Sequence, residues 1–171
     1  MSVPGLTVIE DFITEEEERE IIAFQDGPSF QLTMLGRRLV TGAGFAESPE
    51  IVAVTARLVE RRLLDSDPPA ALMILHDYQA GQSMCPHVDD DRMGPRVAIV
   101  NFRSPAVMTF SRSHDHAPEV VIQFRRRALI HMAGPTRHDW LHGLLRFEAR
   151  RGSMVFGNPR VVSAGSLGGY P

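Results

Sequence analysis

The sequence predicts an α+β protein that is mainly β, in which helices near the start of the chain buttress a sandwich or barrel. Two helical patterns lie within the first 64 residues. From residue 70 onward the apolar residues instead form short runs, and clusters of Gly, Pro, Ser and Asp separate these runs. Many short strands after a few helices favour a sandwich or barrel, of which the jelly roll is a frequent version.

Length and composition indicate one domain over residues 1–171. Hydrophobic residues make up 43% of the chain and charged residues 23%, as in an ordinary soluble protein. The net charge of −3 provides no global basic field, so any binding of nucleic acid needs a local patch. The single Cys85 excludes a disulfide within the chain and fits a reducing compartment. Because neither a secretory signal nor a membrane-spanning apolar run is visible, we expect a cytoplasmic protein.

The first elements are a short strand and a helix with a clear start signal. Leu6–Ile9 has the composition of a strand. Thr14 and Glu17 form a capping-box pattern, in which each side chain bonds to the backbone of the other residue. The acidic residues around Glu17 suit the positive end of the helix dipole, and we expect them to be a solvated helix start. Gly27 and the proline after it predict the end of this helix.

A second helix is predicted to begin after Ser48, because Ser48 can act as the N-cap and Pro49 suits the first helical position. Its apolar stripe continues to about Leu64. Residues 30–47, between the two helices, have no regular period and resemble an irregular hairpin or a lid. The Gly-rich residues 163–171 are expected to form a loose tail.

The remainder of the chain contains six runs that predict strands. Each is short, rich in branched or aromatic residues and bounded by turn residues. The runs are Ala71–Leu75, Val97–Phe102, Val107–Phe110, Glu119–Phe124, Ala128–Met132 and Ser153–Phe156.

A candidate metal site lies between the first two of these runs. His87 and Asp89 are two residues apart, so on a strand both side chains would point to the same face. A pair with this spacing also arises by chance, and a third ligand must come from elsewhere in the chain. His142, between two strand-like runs and before a glycine, is the best candidate. Two His and one carboxylate with open positions are the facial triad of non-haem Fe(II) oxygenases.

A candidate anion site follows from the last run. Arg151 and Ser153 share one strand face, and a buried Arg is costly unless it is paired. A dicarboxylic co-substrate would supply that partner through a bidentate guanidinium contact. Tyr78, just before the His-x-Asp pair, could add a phenolic hydrogen bond. Asp91 follows Asp89 by two residues, hence on the same strand face, and is a candidate to bind a hydrogen-bond donor of the substrate.

At this point the chain resembles the AlkB-type family of Fe(II)/2-oxoglutarate-dependent dioxygenases. Several segments match the family in order and cover nearly the whole chain. They are P-G-L-T-V-I-E-D-F-I-T-E-E-E, D-Y-Q-A-G-Q-S-M-C-P-H-V-D-D, S-P-A-V-M-T-F, R-R-R-A-L-I-H-M-A-G-P-T-R-H-D-W-L-H-G and R-G-S-M-V-F.

The resemblance implies a double-stranded β-helix, or jelly-roll, core. It implies Fe(II) on His87, Asp89 and His142, and 2-oxoglutarate that chelates this iron and places its far carboxylate on Arg151, with Tyr78 as a second contact. Enzymes of this family use O2, release succinate and carbon dioxide, and hydroxylate a carbon attached to a heteroatom. With an N-methyl substrate, the product sheds formaldehyde.

Two positions depart from the family pattern. The family commonly has Asn where this chain has His76, and a second Arg where this chain has Gly157. Arg160, Arg150 or Arg146 could substitute for that second Arg, and the sequence does not choose among them. His76 could lie beside the co-substrate or be a hydrogen-bonded core residue.

The resemblance also suggests the substrate. In AlkB-type demethylases a lid grips the nucleotide beside a flipped base, and in this chain the lid would be residues 30–47, with Arg37 and Arg38 as phosphate contacts. The expected function is therefore oxidative demethylation of N-alkylated bases in DNA or RNA, as single strands, by a monomeric enzyme. One alternative keeps the chemistry and makes the substrate a protein side chain or a small molecule. A second alternative is a non-catalytic jelly-roll binding module.

Overall fold

A computed structural model describes residues 2–27, 37–40, 48–65, 72–114 and 117–157, with the backbone alone at 37–40 and Leu72. This part of the chain contains ten strands, three α-helices and one 3₁₀ turn. In chain order they are β1 (Leu6–Ile9), α1 (Glu15–Asp26), β2 (Arg37–Val40), α2 (Pro49–Glu60), β3 (Leu72–Tyr78), β4 (Met84–His87), a 3₁₀ turn (Asp91–Met93), β5 (Arg96–Phe102), β6 (Ala106–Ser111), β7 (Val120–Phe124), β8 (Leu129–Ala133), α3 (Pro135–His138), β9 (Leu141–Leu144) and β10 (Arg151–Gly157).

The strands form two antiparallel sheets, as the predicted fold class requires. Within the described residues, the large sheet has the order β1-β8-β5-β10-β3-β2 and the small sheet has the order β4-β9-β6-β7. Each of the six predicted runs overlaps a strand, although Glu119 and Ala128 lie just before β7 and β8 and Ala71 is outside the described residues. Sequence reasoning did not include β2, β4 or β9 among the strands, each of which has four residues. Two of them also contain a residue that weakens a strand pattern, Pro86 in β4 and Gly143 in β9.

Both helices begin where the capping signals predicted. The Thr14 hydroxyl accepts a hydrogen bond from the Glu17 amide at 3.1 Å, and the Glu17 carboxylate accepts one from the Thr14 amide at 2.8 Å. The Ser48 hydroxyl accepts from the Ile51 amide at the start of α2. These contacts satisfy backbone donors that a helix leaves unpaired at its first turn.

The predicted end of α2 near Leu64 is wrong, because the helix ends at Glu60. Arg62 adopts a left-handed conformation with φ of 57°, and the amide of Leu63 then bonds to the Leu58 carbonyl. This arrangement is a Schellman motif, which terminates a helix. The chain then turns back and buries Leu64, so the apolar pattern continued past the helix.

Two apolar layers lie on the two faces of the large sheet. Along β10, Val155 packs between the sheets, whereas Met154 and Phe156 pack against the helices. The same alternation holds in β5, where Val97 and Ile99 face the small sheet. The large sheet is therefore covered on both faces, which explains why its strands are continuous apolar runs. The interior between the sheets is the layer into which site residues can point.

The expectation that the acidic residues after Thr14 form a solvated helix start is wrong for two of them. Glu18 is fully buried and accepts hydrogen bonds from Arg126 Nε at 2.7 Å and from the Arg103 amide at 2.8 Å. Glu17 forms an ion pair with Arg57 of α2. These contacts join α1 to α2 and to loops at the ends of the sheets, and the local pattern could not predict the distant Arg partners.

The predicted lid and tail lie largely outside the described residues. Of residues 30–47, the structure describes the backbone of β2, which pairs with β3 so that Arg37 lies opposite His76 and Arg38 opposite Leu75. The tail at 163–171 is not among the described residues. In the part of the chain that is described, no helix has both the length and the apolar character that a membrane crossing requires.

The buried Glu18 gives a first test of the fold. We expect Glu18→Ala to lower the free energy of unfolding by about 2 kcal/mol, because hydrogen bonds to a charged group are lost at a buried position. Glu16→Ala is the control, since Glu16 is exposed and its ion pair with Arg19 is solvated. Urea unfolding at neutral pH measures both. Equal losses for the two variants would contradict this account.

Candidate active site

The small sheet brings two histidines together. β4 and β9 are antiparallel neighbours, and His87 lies directly opposite His142 in their register. Directly opposite residues of such a pair share a face, and the two imidazole rings have centroids 4.5 Å apart. His142 is also opposite Phe110 of β6, which belongs to the core between the sheets. Both imidazoles therefore line this interior.

Asp89 completes a three-residue cluster. Its Oδ1 lies 3.7 Å from His87 Nε2, and its Oδ2 lies 3.6 Å from His142 Nε2. Potential ligand atoms of the three residues all lie within 4.8 Å of one another. Asp89 is not on a strand, because β4 ends at His87 and the chain then turns. The structure brings the three predicted residues together, but strand alternation is not the reason for it.

The protonation of this cluster suits metal binding. Burial lowers the pKa of His142 to about 4, so the imidazole is neutral at pH 7. Burial alone would raise the pKa of Asp89, but the neighbouring His87, His142 and Arg137 outweigh this effect and lower the pKa. The Nδ1 of His87 lies 2.9 Å from the Cys85 carbonyl oxygen. A proton on Nδ1 would make that hydrogen bond and place the ring's lone pair on Nε2, the nitrogen nearest to Asp89.

The large sheet carries a buried cation. Arg151, the first residue of β10, is fully buried and lies opposite Tyr78, the last residue of β3. Its Nε donates to the Asn101 side-chain oxygen at 2.6 Å, and its Nη1 donates to the Ser153 hydroxyl at 3.4 Å. The guanidinium carbon lies 5.3 to 5.6 Å from the ring centroids of three aromatic residues, which are Tyr78, Phe124 and Phe147.

The Arg151 guanidinium has a hydrogen-bond donor available for an anion. Arg151 Nη2 is buried and has no hydrogen-bond partner among the described residues. Burial lowers the pKa of Arg151 to about 10, against the opposing effect of Tyr78, so the group is still charged at pH 7. A buried charge of this kind is costly unless a partner compensates it, and a carboxylate matches the guanidinium fork.

The residues around Arg151 include one that sequence reasoning missed. Asn101 is fully buried, and its amide nitrogen donates to the carbonyl oxygens of Ser104, Phe124 and Arg125 while its oxygen holds Arg151. A polar residue in the apolar run V-A-I-V-N-F was the available signal. His76 is a buried residue whose Nδ1 lies 3.2 Å from the Tyr78 hydroxyl, so it adjoins the predicted co-substrate contact.

The position of the expected second Arg has no room for a side chain. A Cβ atom added to Gly157 would lie 2.5 Å from the Met93 carbonyl oxygen, so the 3₁₀ turn occupies this space. Arg150 does not replace the missing Arg, because it is engaged with Asp77 and Asp26. Arg146 is exposed beside Gly81, and Arg160 lies outside the described residues.

The residues predicted to contact the substrate lie on a turn and on a short strand. Asp91 is exposed at the start of the 3₁₀ turn. The strand alternation that suggested a common face with Asp89 does not apply there. Arg37 and Arg38 are on the edge strand β2 of the large sheet, where the structure describes the backbone.

The class of protein follows from a family comparison that agrees with this arrangement. Residues 33–161 match the model of the 2OG-Fe(II) oxygenase superfamily, and this chain belongs to that family. Its cofactors are Fe(II) and 2-oxoglutarate, with O2 as the oxidant.

Within the superfamily the chain is of the AlkB type. A human protein named alpha-ketoglutarate-dependent dioxygenase alkB homolog 4 is 28% identical over an alignment 205 positions long, gaps included, which covers 90% of this chain and 66% of that protein. A Xenopus tropicalis protein named tRNA (carboxymethyluridine(34)-5-O)-methyltransferase alkbh8 is 26% identical over 161 residues, 82% of this chain and 25% of that protein.

Two further comparisons concern the sequence of a demethylase and the fold of a solved structure. A Caenorhabditis elegans protein named DNA N6-methyl adenine demethylase is 24% identical over 168 residues, 88% of this chain and 57% of that protein. The chain thus spans about two thirds of the human relative and less of the other two. The solved structure of OsALKBH1 matches the fold with a TM-score of 0.66 at 12% identity, covering 92% of this chain and 99% of that one.

The residues present fit the family's cofactors. Asp89 Oδ2 is buried without a hydrogen-bond partner in the described part of the chain, as expected for an oxygen that faces a cation. Two imidazole nitrogens and one carboxylate are the donor set of the non-haem Fe(II) facial triad. Arg151 Nη2 is the corresponding unsatisfied donor for an anion.

Metal binding can be tested by its effect on stability. We expect anaerobic Fe(II) at one hundred times its Kd to raise the free energy of unfolding by about 2.7 kcal/mol, because it binds the folded state alone. His142→Ala should abolish this increase, whereas His138→Ala, which changes an exposed histidine, should retain it. Chemical unfolding with and without Fe(II) is the measurement. An increase that survives in His142→Ala would exclude the cluster as the metal site.

Proposed function

We propose that this protein is an Fe(II)/2-oxoglutarate-dependent dioxygenase in which His87, Asp89 and His142 bind the metal and Arg151 anchors the co-substrate. The observation that carries this proposal is a complementary pair of unsatisfied groups in one interior. Asp89 has a buried oxygen without a donor, and Arg151 has a buried N–H without an acceptor, within the described part of the chain. A cation held by Asp89 and a carboxylate held by Arg151 would satisfy both groups.

The proposed roles follow from the contacts. Tyr78, Asn101 and Ser153 hold the Arg151 fork in one orientation, so that little side-chain entropy is lost when a carboxylate binds. The aromatic rings around Arg151 keep water from the guanidinium, which strengthens its attraction for an anion. The bound Fe(II) would supply oxygen activation coupled to the conversion of 2-oxoglutarate into succinate and carbon dioxide. The protein would supply alignment and a dry pocket.

We further propose that the substrate is an N-alkylated base in DNA or RNA, presented as a single strand. The names of two relatives both concern nucleic acid. One is a DNA N6-methyl adenine demethylase, which supports an N-alkylated base, and the other is a tRNA methyltransferase, which supports RNA but not the demethylation. The net charge of −3 favours a small local contact over extensive binding to a duplex. The alternative substrate is a protein side chain or a small molecule, because the name of the human relative specifies the chemistry and no substrate beyond 2-oxoglutarate.

We also propose that residues 1–171 act as one domain and as a monomer. The apolar cores draw on residues from Val3 to Phe156, which supports a single folding unit.

The activity is tested by succinate formation with Fe(II), O2 and 2-oxoglutarate. We expect turnover that His87→Ala reduces by at least about 100-fold, because a metal ligand is lost. A panel of methylated oligonucleotides, single- and double-stranded, should raise the rate and lose methyl groups as formaldehyde. Methylated peptides form the comparison panel.

The outcomes separate the alternatives. Succinate formation that only the peptides stimulate would replace the nucleic-acid proposal with a protein substrate. Absence of succinate together with retained folding would favour the non-catalytic binding module and contradict the proposed enzyme.

Co-substrate binding can be tested independently at Arg151. We expect Arg151→Gln to raise the Kd for 2-oxoglutarate by about 100-fold, because truncating one partner of a buried charge pair costs several kcal/mol. Arg150→Gln is the matched control, since the adjacent Arg150 binds Asp77 and Asp26 instead. Calorimetric titration of the metal-loaded protein measures both constants. A similar Kd for the two variants would contradict the role of Arg151.

A further inference from the structure

Arg137 is a buried cation that neither the metal site nor the co-substrate site uses directly. It lies in α3, the one-turn helix that precedes β9, and is 1% exposed. No carboxylate among the described residues forms an ion pair with it. A buried guanidinium without such a partner is costly, so its hydrogen bonds must account for its position.

Three main-chain carbonyl oxygens accept hydrogen bonds from Arg137. Its Nε donates to the Gly94 oxygen at 2.9 Å, its Nη1 to the Asp89 oxygen at 3.0 Å and its Nη2 to the Asp90 oxygen at 2.7 Å. The planar fork of arginine can reach three acceptors at once, whereas the single ammonium of lysine cannot reproduce this geometry.

These acceptors bracket the segment that follows the first histidine of the triad. Asp89 has left β4, so no strand neighbour fixes its backbone. At the other end of the segment, Met93 packs where a side chain on Gly157 would lie. The segment from Asp89 to Gly94 is therefore held by Arg137 at both ends and packed against β10 in between.

We propose that Arg137 is a positioning residue for the metal site, which fixes the backbone of Asp89 and thereby aims its carboxylate at the two histidines. This inference rests on the proposed function, because it assumes that the triad binds a metal. Arg137 touches neither a ligand atom nor a reacting group. Its contribution is that the carboxylate is already oriented before the metal arrives, so binding does not have to order the turn.

The experiment titrates Co(II), as a coloured stand-in for Fe(II), into metal-free wild type, Arg137→Lys and Arg137→Gln. Near-ultraviolet circular dichroism first verifies that each variant is folded at the titration temperature, and thermal unfolding records its stability. Arg57→Gln is the matched control. Arg57 is half-buried and, like Arg137, donates to a main-chain carbonyl, that of Phe12, but it joins α1 to α2 away from the triad.

We expect Arg137→Lys to raise the Kd for Co(II) by about 10- to 100-fold and to change the intensity of the visible Co(II) bands, because the carboxylate ligand is no longer held. Arg57→Gln should lower the unfolding temperature and leave both the Kd and the bands unchanged. Arg137→Gln is titrated in the same way if Arg137→Lys does not fold.

A Kd and spectrum equal to those of wild type in a folded Arg137 variant would overturn the positioning role and leave the proposed function intact. Failure of wild type to bind Co(II) would instead contradict the proposed function, and the positioning role with it. Loss of stability without loss of metal affinity would identify Arg137 as a structural residue alone.

Discussion

The cost of burying charge governs the interior between the two sheets. Arg151 is fully buried, and its charge must be compensated in a medium that screens poorly. Asn101 is engaged with it and is itself fixed by three carbonyl oxygens, while aromatic rings of β3, β7 and the loop before β10 surround the guanidinium. These contacts join strands of both sheets. An interior arranged in this way is preformed for an anion rather than for more apolar packing.

The two sheets contribute different chemistry to that interior. The small sheet supplies imidazoles from the paired strands β4 and β9, and the large sheet supplies the cation and the phenol from the paired strands β10 and β3. The phenol of Tyr78 also contacts Met84 of β4 at 3.9 Å, so the two halves adjoin. Gly157 allows the 3₁₀ turn to enter where a larger residue would exclude it. Backbone of the 3₁₀ turn therefore fills the space where the family pattern has a second Arg.

The cluster of His87, Asp89 and His142 shows that residues expected to meet can do so for a reason other than the expected one. The spacing of His87 and Asp89 suggested one strand face, but the strand ends at His87. The carboxylate reaches the histidines through a turn that Arg137 holds from 48 positions away in the chain. The helix starts were predicted for the right reason, because a capping box is a contact over three residues. The end of α2 was not, since a left-handed arginine carries no sequence signal.

The sequence by itself determined the helix starts, the main strands, the candidate metal ligands and the family, because each depends on residues close together or on ordered motifs. Only the tertiary structure decided that Glu18 is buried, that Arg137 holds the segment from Asp89 to Gly94, and that the 3₁₀ turn fills the space beside Gly157. Asn101 lies between these two groups. The sequence shows a polar residue within an apolar run, but it does not show that the partner of this residue is Arg151. The physical reason is that a hydrogen bond or a close approach between distant segments leaves no period in either segment. Only the folded chain shows which charges meet.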